Sequence, residues 1–151
     1  MKRHTFAGVV AGAFVCIAAA FAPGALAQQI IKATDVHPLG YPTVEVIVRM
    51  GNKLEKATNG KYKIQMFPAM QLGGEKEMIE QAQVGALQIA RISVGPMGPI
   101  VDELNVFNLP FMFRDEAHMR KVIDGPIGKE LLDKLTANPN AKLVGLGWMD
   151  A

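Results

Sequence analysis

The sequence predicts an α/β protein built on a small parallel sheet, and three observations carry that prediction. Short apolar, β-branched runs alternate with segments of helical periodicity. Two helical segments separate three strand-like runs, which makes two βαβ units with right-handed crossovers and all strands pointing the same way. The stretch from Phe67 to Ile89 joins a strand end, the Gly73-Gly74 turn, an acidic helix start and the next strand. In open α/β sheets, ligands sit beyond such strand ends.

Ile30 to Thr34 reads as the first strand. The loop after it holds His37-Pro38 and Gly40-Tyr41-Pro42, and Pro42 opens the first helix, expected over Thr43 to Ala57. Val44, Ile47, Gly51 and Leu54 recur at three- and four-residue steps, with Arg49, Lys53 and Glu55 off that stripe. Asn59-Gly60 supplies a left-handed stop. Lys63 to Phe67 reads as strand two, Glu75 to about Val84 as a helix with Glu75 and Glu77 in its favourable first turn, and Leu87 to Ile92 as strand three.

Beyond Ser93 the chain turns rich in glycine and proline. Pro110 argues against a central strand in the apolar run Leu109 to Phe113. Asp115 caps an expected helix to Ile123, and Pro126 starts another whose Ile127, Leu131 and Leu135 share a face. After Asn138-Pro139-Asn140, Lys142 to Trp148 reads as a fourth strand. With a strand expected to run straight into the last residues, the chain reads as the front part of a longer protein.

The amino terminus sets the compartment. Lys2 and Arg3 precede an uncharged stretch from Phe6 to Phe21, and Ala25-Leu26-Ala27 has the small-x-small pattern of a signal peptidase site, so residues 1–27 read as a signal peptide and the mature chain starts at Gln28. The apolar stretch is short for a membrane span and is broken by Pro23-Gly24. Cleavage leaves about 120 residues, enough for a single domain. Of the 16 basic side chains it removes Lys2 and Arg3, so the rest balance the 14 acidic ones. A neutral chain without a basic cluster has no electrostatic footprint for nucleic acid or an anionic membrane surface. The single cysteine, Cys16, leaves with the signal peptide, which excludes disulfides and thiolate metal sites in the mature chain.

The sheet sorts the candidate chemistry. His37 and Tyr41 follow strand one, Gln71 to Glu75 follow strand two, and Arg91 to Ser93 close strand three, so these loops are expected to converge on one edge. Arg91 interrupts an otherwise apolar strand. A guanidinium near a sheet core needs a carboxylate to offset its desolvation, and either Glu75 or an acidic ligand fits. His37 is a candidate donor to a ligand hydroxyl or carboxylate, against the plainer alternative of an exposed or backbone-bonded imidazole. Glu75 alone would serve as a helix-start charge, and Gly73-Gly74 as a turn.

Enzyme signatures are absent. There is no Gly-x-Ser-x-Gly elbow, no His-Glu-x-x-His and no Walker loop, and Gly145-x-Gly147 lacks the third glycine of a dinucleotide fingerprint. The methionines and Phe107, Phe111 and Phe113 read as packing, with no cofactor implied. A hydrolase or isomerase using His37 and Glu75 lacks a nucleophile or metal set, and a sensor or adaptor module is the other alternative.

The His37-Pro38 loop, the helix ending Leu54-Glu55-Lys56-Ala57-Thr58-Asn59-Gly60, the segment Gln71 to Gln81 with Gly85-Ala86-Leu87, Asn108 to Phe113, and Gly145-Leu146-Gly147-Trp148 together resemble the solute receptors of TRAP (tripartite ATP-independent periplasmic) transporters. The resemblance covers residues 29 to 151. It implies a two-lobe fold like the type II periplasmic binding proteins, of which residues 28–151 would be the first lobe and Lys142 to Trp148 the first crossing strand. It also implies an organic-acid ligand, a uronate-like sugar acid or a C4-dicarboxylate, and delivery to membrane permease subunits. The main carboxylate-binding arginine would belong to the second lobe. Within this lobe the pattern puts ligand contacts in the loops holding His37, Glu75 and Arg91 to Ser93, and Tyr41 and Gln71 are further candidates on the same loops.

Overall fold

The structure, a computed structural model, describes residues 27–149. The expected signal peptide lies outside the described residues but for Ala27. Three strands form one parallel sheet in the order β2-β1-β3. β1 (Gln29–Thr34) is central, with Ile31 opposite Ile64 of β2 (Tyr62–Phe67) and Ala33 opposite Ile89 of β3 (Ile89–Ala90). Thr34 has Phe67 on one side and Ala90 on the other. The three strand ends are therefore in register, and the loops that leave them emerge at the same edge.

Two of the connections are helices. α1 (Pro42–Ala57) starts with proline in its first turn, and Glu45 reaches back to accept from the Gly40 amide at 3.0 Å. Its buried stripe is Thr43, Val44, Ile47 and Gly51, and it stops where Asn59 and Gly60 take positive φ, as the sequence led one to expect. α2 (Glu75–Gln83) buries Met78 and Ile79. The turn before it requires Gly73, whose φ is +103° and whose added Cβ would lie 2.8 Å from Glu77 Cβ.

β3 is shorter than the expected Leu87 to Ile92. Its flanks still pair with β1, because Gln88 N donates to Lys32 O at 3.2 Å and Arg91 N donates to Thr34 O at 3.0 Å. The rest of the chain builds a second packed layer. α3 (Val94–Met97), a 3-10 helix (Asp102–Asn108), α4 (Glu116–Ile123) and α5 (Pro126–Ala137) enclose a core of Ile79, Met97, Val101, Leu104, Leu131, Leu135 and Ala141. Asp115 caps α4 by accepting from His118 N at 2.7 Å.

Further expectations need correction. Ile127 is 56% exposed, and the buried face of α5 is Gly128, Leu131 and Leu135. The reason is contact distance: a Cβ on Gly128 would fall 1.8 Å from the Ile123 carbonyl oxygen, so the helix meets α4 through its glycine. The expected fourth strand, Lys142 to Trp148, pairs with no strand among the described residues. Lys142 has φ of +52°, and the segment runs over α5 instead of reaching the sheet. There Gly145 N donates to Thr136 Oγ1 at 3.1 Å and Trp148 Nε1 donates to Gly128 O at 3.1 Å. Leu143 and Trp148 pack on the core while Val144 and Leu146 are exposed, and since Trp148 falls in step with Val144 and Leu146 the segment does not keep the two-residue period of a strand. No helix among the described residues is long and apolar enough to cross a membrane.

Candidate functional site

At the carboxyl edge of the sheet the chain gathers two polar groups. One is built on Glu75 at the start of α2. Its Oε1 accepts from Ser93 N at 2.7 Å and stands 3.4 Å from Arg91 Nη1, while Arg91 Nη1 also donates to Ser93 Oγ at 3.0 Å. The Arg91 and Glu75 side chains are both 17% exposed. The short bond is the one to the Ser93 amide. The ion pair is longer than a well-formed charge-assisted hydrogen bond, so Glu75 holds the exit of β3 more tightly than it holds the guanidinium. The Arg91 donors on Nη2 and Nε make no hydrogen bond among the described residues. Of the two partners the sequence allowed for Arg91, the carboxylate of Glu75 is in place.

The second group surrounds His37. Its Nδ1 lies 2.8 Å from Asp35 Oδ1, its backbone N donates to the same oxygen at 3.0 Å, and its ring stacks on Tyr41 with centroids 3.9 Å apart and planes 6° from parallel. Asp35 itself is fully buried and takes a further bond from Thr43 Oγ1 at 2.6 Å. Burial alone would raise the Asp35 pKa. The hydrogen bonds from Thr43 and from the His37 backbone and ring, with the Arg91 charge nearby, outweigh burial and hold the carboxyl below its ordinary value.

The loop after β2 closes this edge from the other side. Ala69 N donates to His37 O at 2.8 Å and Met70 N to Asp35 O at 3.4 Å, with both Ala69 and Met70 in positive φ. Gln71 lies in the same loop with its side chain exposed. Thus Glu75, Arg91 and Ser93 come together, His37 and Tyr41 come together, and no hydrogen bond joins His37 to Glu75 among the described residues. Gln71 stands at the edge without joining either group.

Asp35 is the residue that sequence reasoning passes over. An acid directly after a β-branched strand and two positions before a histidine is the available signal. Thr43 reads in the sequence only as a helix start. No cluster of three or more metal-ligating side chains occurs among the described residues. Two surface depressions, one bordered by Glu55 and Asn59 and one by Asp102 and Lys134, lie on other parts of the surface. The candidate site is an open wall.

A model of the bacterial extracellular solute-binding proteins, family 7 (DctP), matches residues 33–151. This chain belongs to that family. The C4-dicarboxylate-binding periplasmic protein DctP of Rhodobacter capsulatus is 33% identical over 151 residues, which is 99% of this chain and 44% of the relative. A TRAP periplasmic solute binding protein from Citrobacter koseri, solved with bound D-glucuronate, matches with a TM-score of 0.78 and 55% identity over 82% of this chain and 41% of that one. Another from Pseudomonas putida F1, also with bound D-glucuronate, gives 0.76 and 56% over 81% and 40%. The chain spans less than half the length of these relatives. As a family member it has the α/β architecture and parallel sheet expected for part of a periplasmic binding protein.

Proposed function

We propose that this chain is the first lobe of a periplasmic receptor of a TRAP transporter, which captures a uronate-like sugar acid and delivers it to membrane permease subunits. The observation that carries the reading is the pairing of a cationic group, Arg91 with Ser93 and Glu75, and a hydroxyl-recognising group, His37 with Tyr41, on one sheet edge. That edge is where open α/β sheets take their ligands. A guanidinium with free donors suits a carboxylate, while an imidazole and a glutamate suit ring hydroxyls. The glucuronate-bound relatives support the same ligand class. A plain C4-dicarboxylate would leave the hydroxyl partners unused.

In this reading residues 1–27 direct export and are removed, and residues 28–151 form the lobe. A second lobe supplies the opposite wall, including an arginine for the ligand carboxylate, and the two close on the acid. His37, Tyr41, Gln71, Glu75, Arg91 and Ser93 line this half. The reading is of a non-catalytic carrier, in keeping with the match to the solute-binding family.

A thermal-shift screen of the full-length protein against uronates, aldonates and dicarboxylates tests this. Stabilisation is expected from uronates above the others, and ligand at a hundredfold over its Kd adds about 2.7 kcal/mol. No shift with any organic acid would remove the receptor reading.

A further inference from the structure

The buried carboxylate at this edge has no direct route to a ligand. Asp35 is fully buried, yet both of its oxygens are occupied: Oδ2 by Thr43 Oγ1, and Oδ1 by the backbone and ring of His37. We infer that Asp35 is a positioning residue, which fixes His37 as the Nδ1–H tautomer and so makes Nε2 a hydrogen-bond acceptor for a ligand hydroxyl. The inference rests on the proposed function for its ligand half.

A carboxylate only accepts, so the nitrogen 2.8 Å from Asp35 Oδ1 must carry the proton. In the neutral ring the lone pair is then left on Nε2. Nε2 makes no bond among the described residues and is not sealed from solvent. The ring has little freedom to turn. Tyr41 covers one face, and the His37 backbone is held by Asp35 Oδ1 on one side and by Ala69 N on the other. A half-turn of the imidazole would keep the stack but give up the Asp35 bond, and any smaller turn would disturb both.

The consequence is selectivity. An acceptor at this place receives the O–H of a polyhydroxy acid, whereas a second carboxylate there would meet a lone pair. Asp35 thereby makes the wall favour hydroxylated acids over plain dicarboxylates, without touching either.

Two readouts on the full-length receptor test this. Long-range ¹H–¹⁵N correlation of the histidine rings, at a pH where the imidazole is neutral, is expected to show the His37 proton on Nδ1 in the wild type. In Asp35→Asn, whose amide donates as well as accepts, that preference is expected to fade or reverse, with D-glucuronate binding at least tenfold weaker by calorimetry. A wild-type proton on Nε2 overturns the inference. So does an Asp35→Asn variant in which only one of tautomer and affinity changes, or neither. Should that variant fail to fold, His37→Phe keeps the ring stack but lacks Nε2; it is expected to lose at least tenfold, and affinity within twofold of wild type overturns the inference. A wild-type receptor that binds no sugar acid removes the functional reading and the ligand half with it, while the ring spectrum still decides the tautomer.

Discussion

At the scale of single residues, the edge of the sheet is governed by two buried or half-buried carboxylates with different tasks. Glu75 anchors the Ser93 amide and balances Arg91. Glu75→Ala leaves that amide and a largely buried guanidinium without their acceptor, so urea unfolding is expected to show a loss of about 1–3 kcal/mol. Arg91→Met keeps the bond from the Ser93 amide to Glu75 and removes the cation together with its bond to Ser93 Oγ. Its stability should change less than that of Glu75→Ala, while affinity for D-glucuronate falls tenfold or more, because a hydrogen bond to a charged group contributes about 1.5–3 kcal/mol.

Asp35 behaves as a depressed carboxylate. Its folded pKa lies below the ordinary value of 3.8, so its contribution to stability is fully present above that value and is lost as pH falls through the folded one. Urea unfolding of wild type and Asp35→Asn at pH 7, 5, 4 and 3 should show a gap between them that is constant down to about pH 4 and shrinks below it. A gap that widens on acidification would reverse the sign argued for this group.

At the scale of elements, the sequence disclosed most where local chemistry decides the outcome. Pro42 opening α1, Asn59-Gly60 closing it and Asp115 capping α4 are set by neighbours within four residues, and each formed as expected. The convergence of the three strand ends was also legible, since two βαβ units leave parallel strands little choice. The features that stayed hidden depend on contacts between distant segments. Lys142 to Trp148 is apolar and reads as a strand, but pairing depends on a neighbour that local sequence does not reveal. The buried face of α5 shifted by one residue because Gly128 packs against a carbonyl of the preceding helix. Asp35 escaped notice because nothing in the sequence shows that Thr43 lies 2.6 Å away.

Gly128 carries the prediction at this scale. Alanine there would gain helix propensity of about 1 kcal/mol, but its Cβ would meet a backbone oxygen that no rotamer change can move. A net loss of about 3 kcal/mol or more is expected in denaturant unfolding, with a change in Trp148 emission, because the indole donates to the Gly128 carbonyl. An unchanged midpoint would mean that α4 and α5 do not meet this closely.

At the scale of the whole molecule, the site is a wall and several large apolar side chains of the second layer are exposed. Phe107 and Phe113 stack as expected, but Phe111, read from the sequence as packing, has φ of +58° and is 100% exposed, and Leu109, Val144 and Leu146 are more than half exposed. On the proposed two-lobe reading, these side chains would meet the second lobe. Residues 28–151 expressed alone are expected to bind a hydrophobic dye several-fold more strongly per molecule than the full-length protein, and to bind D-glucuronate far more weakly. Equal affinity would place the whole ligand site on this lobe.

A crystal structure of the full-length receptor with D-glucuronate decides whether this edge is the ligand-binding wall. Ligand oxygens are expected within about 3.2 Å of both the Arg91 guanidinium and the His37 ring. A bound ligand that touches neither side chain would contradict that assignment.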